Sequence, residues 1–153
     1  MKRKLMGALV AGAFALAGPA VIAQQKISDG VVKIGVLTDM SGLYSDLGGQ
    51  GSVVAAQMAI DDFGKTVLGA KIELVSADHQ NNAETGANRA REWFDRQQVD
   101  MITDALNSAV GIATSKVAGE KKKLIMNVGA ASTRLTNEDC NAYTIHYAYD
   151  TVA

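Results

Sequence analysis

Short β-branched runs alternate with helical stripes along this chain, and that alternation restricts the fold more than any other feature. Lys33 to Thr38 (KIGVLT) is apolar and β-branched between polar flanks, the pattern of a buried strand. Val53, Ala56, Ile60 and Phe63 then recur at helical spacing, which predicts a helix with one apolar face that stops at Gly64. Lys71 to Ala77 (KIELVSA) is a second strand. Asn81 and Glu84 have the spacing of a capping box, and Ala83, Ala87, Ala90 and Phe94 supply the stripe of a second helix behind it. Val99 to Asp104 predicts a third strand, and Val110, Ala113 and Val117 a third helix ending near Gly119. Leu124 to Val128 is a fourth strand and Tyr143 to Tyr147 a fifth.

Strands that alternate with helices imply βαβ units, a parallel sheet and helices on both of its faces. Right-handed crossovers fix the sense of winding. The expected fold is therefore a doubly wound, mostly parallel α/β sheet with flavodoxin- or Rossmann-like layers. Ligands of such sheets sit outside the carboxyl ends of the strands, near the point where the strand order reverses. Three loops leave those ends, after Thr38, after Asp104 and after Val128.

Each loop has a plain structural reading beside a functional one. In TDMSGLYSDLGGQG, Ser41 follows the strand and Tyr44 offers an aromatic face, but the glycines also serve simple turns. In DALNSAVG, Asn107 or Ser108 caps the next helix, and the same helix start offers free N–H groups to a carboxylate. In VGAASTRLT, Ala130 and Ala131 expose backbone, while Ser132 and Thr133 add hydroxyls. Three small, polar loops at one sheet edge are able to encircle a small zwitterion, with hydroxyls and N–H groups on its carboxylate and carbonyls on its ammonium.

The ends and the charge narrow the class. Lys2, Arg3 and Lys4 precede an apolar run from Leu5 to Leu16, and Val21-Ile22-Ala23 fits a signal peptidase site. A signal peptide over 1–23, cleaved near Ala23, is expected, and with it export to the periplasm. The rest, residues 24–153, suits one domain, since domains cluster near ~100–150 residues. The chain has 15 Lys and Arg against 16 Asp and Glu, and three of the bases fall in the leader, so the remainder is net acidic. That argues against a nucleic-acid partner. Neither a dinucleotide fingerprint nor a phosphate-binding loop occurs, no cofactor is implied, and the two histidines, His79 and His146, show no metal-ligand spacing. No nucleophile stands with a base and an orienting group, so no catalytic residue is assigned. The single cysteine, Cys140, is either a free thiol or half of a bridge to a residue elsewhere.

Three stretches in order, IGVLTDMSGLYSDLGGQG, ALNSAVGIATSKVAGEKKKLIMNVGAASTRLT and YTIHYAYDT, resemble the solute-binding proteins of ABC importers of the branched-chain amino acid (Leu/Ile/Val-binding) type. The resemblance implies a type I periplasmic binding fold without enzymatic activity. Its ligand would be an amino acid, an amide or an aromatic acid, and its partner the membrane permease of the importer. Carried over residue by residue, it places ligand contacts at Ser41, Tyr44, Asn107, Ser108, Ala130, Ala131 and Ser132, with Tyr149 and Asp150 near the handover to a second lobe. Members of this family have two lobes and are more than twice as long, so residues 24–153 are expected to be the N-terminal lobe with the second lobe absent. Three alternatives stay open at this point: a remnant that does not bind, a ligand-sensing domain of a signalling system, and an exported enzyme on the same sheet.

Overall fold

The computed structural model describes residues 29–147 and 149–152. The expected signal peptide over 1–23 lies outside them. Val31–Thr38 forms strand β1, which runs parallel to two neighbours. On one side it pairs with β3 (Ala70–Asp78) in a register running from Val31 with Lys71 to Thr38 with Asp78. On the other it pairs with β4 (Met101–Asp104), Ile34 opposite Met101 and Leu37 opposite Asp104. Outward from β4 lie β5 (Leu124–Asn127) and β6 (Thr144–His146), both parallel. With the short β2 (Thr66–Val67) at the far edge, the order is β2-β3-β1-β4-β5-β6. The chain first winds from β1 to β3 and then returns past β1 to β4, so the reversal falls between β1 and β4. The doubly wound α/β sheet read from the sequence is the one observed.

Three helices make the crossovers, α1 (Gly49–Phe63), α2 (Ala83–Arg96) and α3 (Ser108–Lys121). The main core lies under α2 and α3. Leu37, Ile102 and Ile125 from the sheet meet Ala87, Ala90, Trp93 and Phe94 of α2 and Val110, Val117 and Ala118 of α3. α1 packs on β1 and β3 from the opposite face, burying Ile60. Trp93 fixes how close α2 comes to the sheet. A Cβ on Gly35 would stand 2.5 Å from Trp93 Cζ3 and 2.7 Å from Cε3, so the indole lies directly on the backbone of β1.

Four details differ from the sequence reading. β2 and β3 form a hairpin in which Leu68 and Gly69 both have positive φ, 50° and 81°, as a type I′ turn requires. A leucine in the first of those positions gives no warning of the turn. Phe63 is 66% exposed although it continues the α1 stripe, because it is the last helical residue before the left-handed Gly64 and borders an open groove with Ile34, Ile72 and Met101. Val99 is buried yet precedes β4, its N–H closing the end of α2 on Trp93 O at 3.1 Å. The cap of α2 is Asn82, whose Oδ1 accepts from Thr85 N–H at 2.9 Å, and not Asn81.

Gly35→Ala is expected to lower the unfolding free energy by about 1–3 kcal/mol, because a rigid indole cannot yield to the added methyl. Urea denaturation measures this, and an unchanged midpoint would contradict the packing.

Candidate functional site

Because β1, β4 and β5 are parallel, the loops after them leave the same edge of the sheet. Leu106, in the second loop, brings them into contact. A Cβ on Gly48 would lie 2.7 Å from Leu106 Cδ2, and a Cβ on Gly129 would lie 2.8 Å from both Leu106 Cα and Cδ1. The leucine fills the space that side chains in the first and third loops would need. Two further contacts join the second loop to the third. Ala131 N–H donates to Ser108 Oγ at 3.2 Å, and Gly111 in the first turn of α3 sits so near Ala130 that a Cβ there would be 2.6 Å from Ala130 Cβ. The small residues that open the third loop thus admit the close approach of the second.

The first loop is wound around a buried carboxylate. Asp39 is fully buried, and its oxygens accept from Gly42 N–H at 2.8 Å and Tyr44 N–H at 2.9 Å. These side-chain-to-backbone bonds set the position of the half-buried Tyr44. Thr38 Oγ1 accepts from Gly49 N–H at 3.2 Å and so ties the start of α1 to the same strand end. Ser41 is exposed, and its hydroxyl donates to Asp78 Oδ2 at 2.5 Å. With its proton so engaged, Ser41 has only lone pairs left for anything that approaches, which suits a donor such as an ammonium better than a carboxylate.

In the second loop Asp104 and Ala105 take left-handed φ values of 83° and 51°, and Ala105 N–H returns to Leu37 O at 2.8 Å. Asn107 is the cap of α3, its Oδ1 accepting from Ala109 N–H at 2.7 Å and Val110 N–H at 3.2 Å. Its amide nitrogen donates to Asn81 Oδ1 at 2.6 Å, so both the oxygen and the nitrogen of this side chain have partners within the protein. Ser108 stands half-buried at the positive end of α3. In the third loop Ala130 is buried, and its carbonyl lies 2.7 Å from His146 Nε2. Ala131 O accepts from Thr151 N–H at 2.9 Å. Ser132 Oγ accepts from Arg134 N–H at 3.4 Å at the start of a 3-10 turn, Thr133–Thr136. Tyr149 is 57% exposed, and its hydroxyl donates to Gly129 O at 3.4 Å, which lays the ring along the third loop. Cys140 is exposed and unpaired.

The structure therefore draws Ser108, Ala130, Ala131 and Tyr149 into one connected group around Gly129. It turns the Ser41 hydroxyl toward β3 and holds Tyr44 by its backbone. Sequence reasoning passed over Leu106, Asp39 and Asp78. An Asp directly after a strand and two residues before Ser-Gly is a legible turn signal for Asp39. Asp78 and Leu106 carry no local signal, since their roles exist only through contacts with distant loops.

Comparison with known proteins agrees with this geometry. A family model described as Periplasmic binding protein matches residues 31–153. The chain belongs to that family. A periplasmic binding protein from Burkholderia mallei superposes with a TM-score of 0.78 at 53% identity, covering 80% of this chain and 32% of that one. A branched-chain amino acid ABC transporter periplasmic ligand-binding protein from Burkholderia xenovorans gives 0.75 at 44% identity, covering 78% and 32%. A solute-binding protein of an ABC transporter from Rhodopseudomonas palustris, in complex with 3,4-dihydroxybenzoic acid, gives 0.73 at 21% identity, covering 80% and 33%. No functionally curated protein sequence matches the chain. This periplasmic binding protein chain has the type I fold and spans about a third of the length of these solved relatives.

Asp78 also links the site to pH. Burial works to raise its pKa, but hydrogen bonds from Ser41, Met40 N–H and Gln80 N–H outweigh burial and hold it below 3.8. Folding thus favours the charged carboxylate, and this stabilisation is complete above pH 3.8 and lost as the pH falls through the lower folded value. Asp78→Asn is expected to be less stable than the parent near neutral pH, with the difference shrinking in acid below pH 3.8. Denaturation curves across that range provide the measurement, and a pH-independent difference would contradict the assignment.

Proposed function

We propose that residues 24–153 form the N-terminal lobe of an exported, periplasmic solute receptor that delivers an amino acid or related small carboxylate to the permease of an ABC importer. The observation that carries this reading is the junction at Leu106, where loops from β1, β4 and β5 meet at one sheet edge. Such an edge is where doubly wound sheets bind their ligands. Ser108 and Ser132, beside the positive end of α3, would receive the carboxylate. Ser41, left with acceptor capacity only, would face an ammonium. Tyr44 and Tyr149 would flank the ligand, with Asn107, Ala130 and Ala131 holding the backbone that contacts it. The 44%-identical relative named for branched-chain amino acids favours an aliphatic amino acid. The more distant relative holding a dihydroxybenzoate makes an aromatic acid the second choice. The solved relatives are solute-binding proteins, in keeping with binding rather than catalysis.

One lobe shields one side of a ligand, whereas good pockets enclose most of its surface. Binding by this chain is accordingly expected to be weak, and amide shift titration by NMR, which registers weak complexes, is the suitable measurement. Leucine, isoleucine, valine or 3,4-dihydroxybenzoate is expected to shift amides in the first, second and third loops together. Ser108→Ala is expected to weaken binding by about tenfold or more, one hydrogen bond to a charged group being worth ~1.5–3 kcal/mol. Shifts absent with all four compounds, or scattered away from the three loops, would contradict the proposal.

A further inference from the structure

The turn after β3 joins the first loop to the second. Gln80 and Asn81 both have left-handed φ, 53° and 52°, a conformation that non-glycine residues keep only when it is held in place. Two side chains hold it. Asp78 Oδ1 accepts from Gln80 N–H at 2.7 Å, and His79 Nδ1 accepts from Asn81 N–H at 3.0 Å. The turn then presents Asn81 Oδ1 to Asn107 Nδ2 at 2.6 Å. Asn107 in turn caps α3 through Ala109 and Val110, and the next residue after that cap is Ser108, bonded to Ala131. An unbroken run of hydrogen bonds therefore leads from the His79 ring to the mouth of α3.

The ring itself is fully buried. Asp39 from the end of β1, Asp104 from the end of β4 and Asp78 beside it are the charges that act on it, and all three favour its protonation. From the helices, Gly86 of α2 lies against its Cβ, with Val110 and Thr114 of α3 around the same point, none of them titratable. Burial outweighs the three carboxylates and holds the pKa below 6.5. Since Nδ1 accepts from Asn81, the proton of the neutral ring is on Nε2, and that atom has no partner among the described residues. A protonated imidazole carries N–H at both positions and has no acceptor left for Asn81.

We propose that His79 is a positioning residue: its neutral ring holds Asn81 against Asn107 and so sets the mouth of α3, and protonating it releases that part of the rim. The relay stands on the hydrogen bonds alone; its consequence for binding rests on reading the rim as the ligand site. The relay is complete above about pH 6.5 and fails as the pH falls through the lower value of the folded ring.

An NMR titration of the purified protein from about pH 7.5 to about pH 5 brackets the ordinary histidine value. The amides of Asn81, Ser108, Ala109 and Val110 are expected to move with the same midpoint as the His79 ring. In Asn81→Gly, which tolerates the left-handed turn and removes only the side-chain link, the ring is expected to titrate while Ser108, Ala109 and Val110 stay still. In His79→Gln the shared midpoint is expected to vanish. A ring that stays neutral until the protein unfolds would overturn the proposal. So would amides that ignore it in the parent protein, or that still follow it in Asn81→Gly. Leucine and 3,4-dihydroxybenzoate are then titrated at both ends of the range. A dissociation constant several-fold higher in acid for the parent, and unchanged with pH in His79→Gln, supports the effect on binding; equal pH dependence in the two overturns it. If neither compound binds while the amides co-titrate, the relay is upheld and the ligand-site reading is the one that fails.

Discussion

Leu106 occupies the volume that side chains on Gly48 and Gly129 would require, and the rest of the rim depends on that exchange of space. A parallel sheet delivers three loops to one edge, but it does not by itself make them touch. Neighbouring strands stand about 4.8 Å apart, so loops from β1 and β5, separated by β4, begin roughly 10 Å from one another. The leucine closes that gap from the middle loop, with a glycine receiving it on either side. Interiors are packed too densely for either glycine to gain a side chain without displacing the leucine. Once the loops are in contact, the Ser108–Ala131 bond and the Gly111–Ala130 approach fix the start of α3 against the third loop.

Polar groups then set the angles. Asp39 winds the first loop, Asp78 joins that loop to β3, and Asn81 joins β3 to the cap of α3. Both oxygens of Asp39, and Oδ1 of Asp78, are matched to backbone N–H groups that the loop geometry would otherwise leave unpaired. The Ser41 hydroxyl is likewise turned toward Asp78 on β3, and burial outweighs the surrounding carboxylates in lowering the pKa of His79. The rim is thus a hydrogen-bonded surface resting on an apolar core under α2 and α3, with Trp93 seated on β1 at Gly35 as the point of tightest contact.

The layers of this fold were legible in the sequence because period and composition report burial directly. KIGVLT and KIELVSA read directly as strands, and the stripes of α2 and α3 named most of the helical residues that now form the core. The loops that carry Ser41, Ser108 and Ser132 were legible for the same reason, since they had to follow those strands. What escaped was everything decided by contact at a distance. Nothing local tells Asn81 from Asn82 as a cap; the choice follows from Asn107 drawing Asn81 aside. His79 shows no partner in the sequence, and only the fold shows it and Asp78 strapping a turn that joins two loops. Leu106 reads as one more aliphatic residue until the two glycines beside it come into view.

The contact at Leu106 can be observed directly in solution. Selective labelling of the leucine methyl groups and measurement of nuclear Overhauser effects from Leu106 tests whether the three loops form one rim. The account expects cross-peaks from its methyls to the α-protons of both Gly48 and Gly129. Cross-peaks to one glycine without the other would mean that the first and third loops stand apart, and the common rim on which the site depends would not exist.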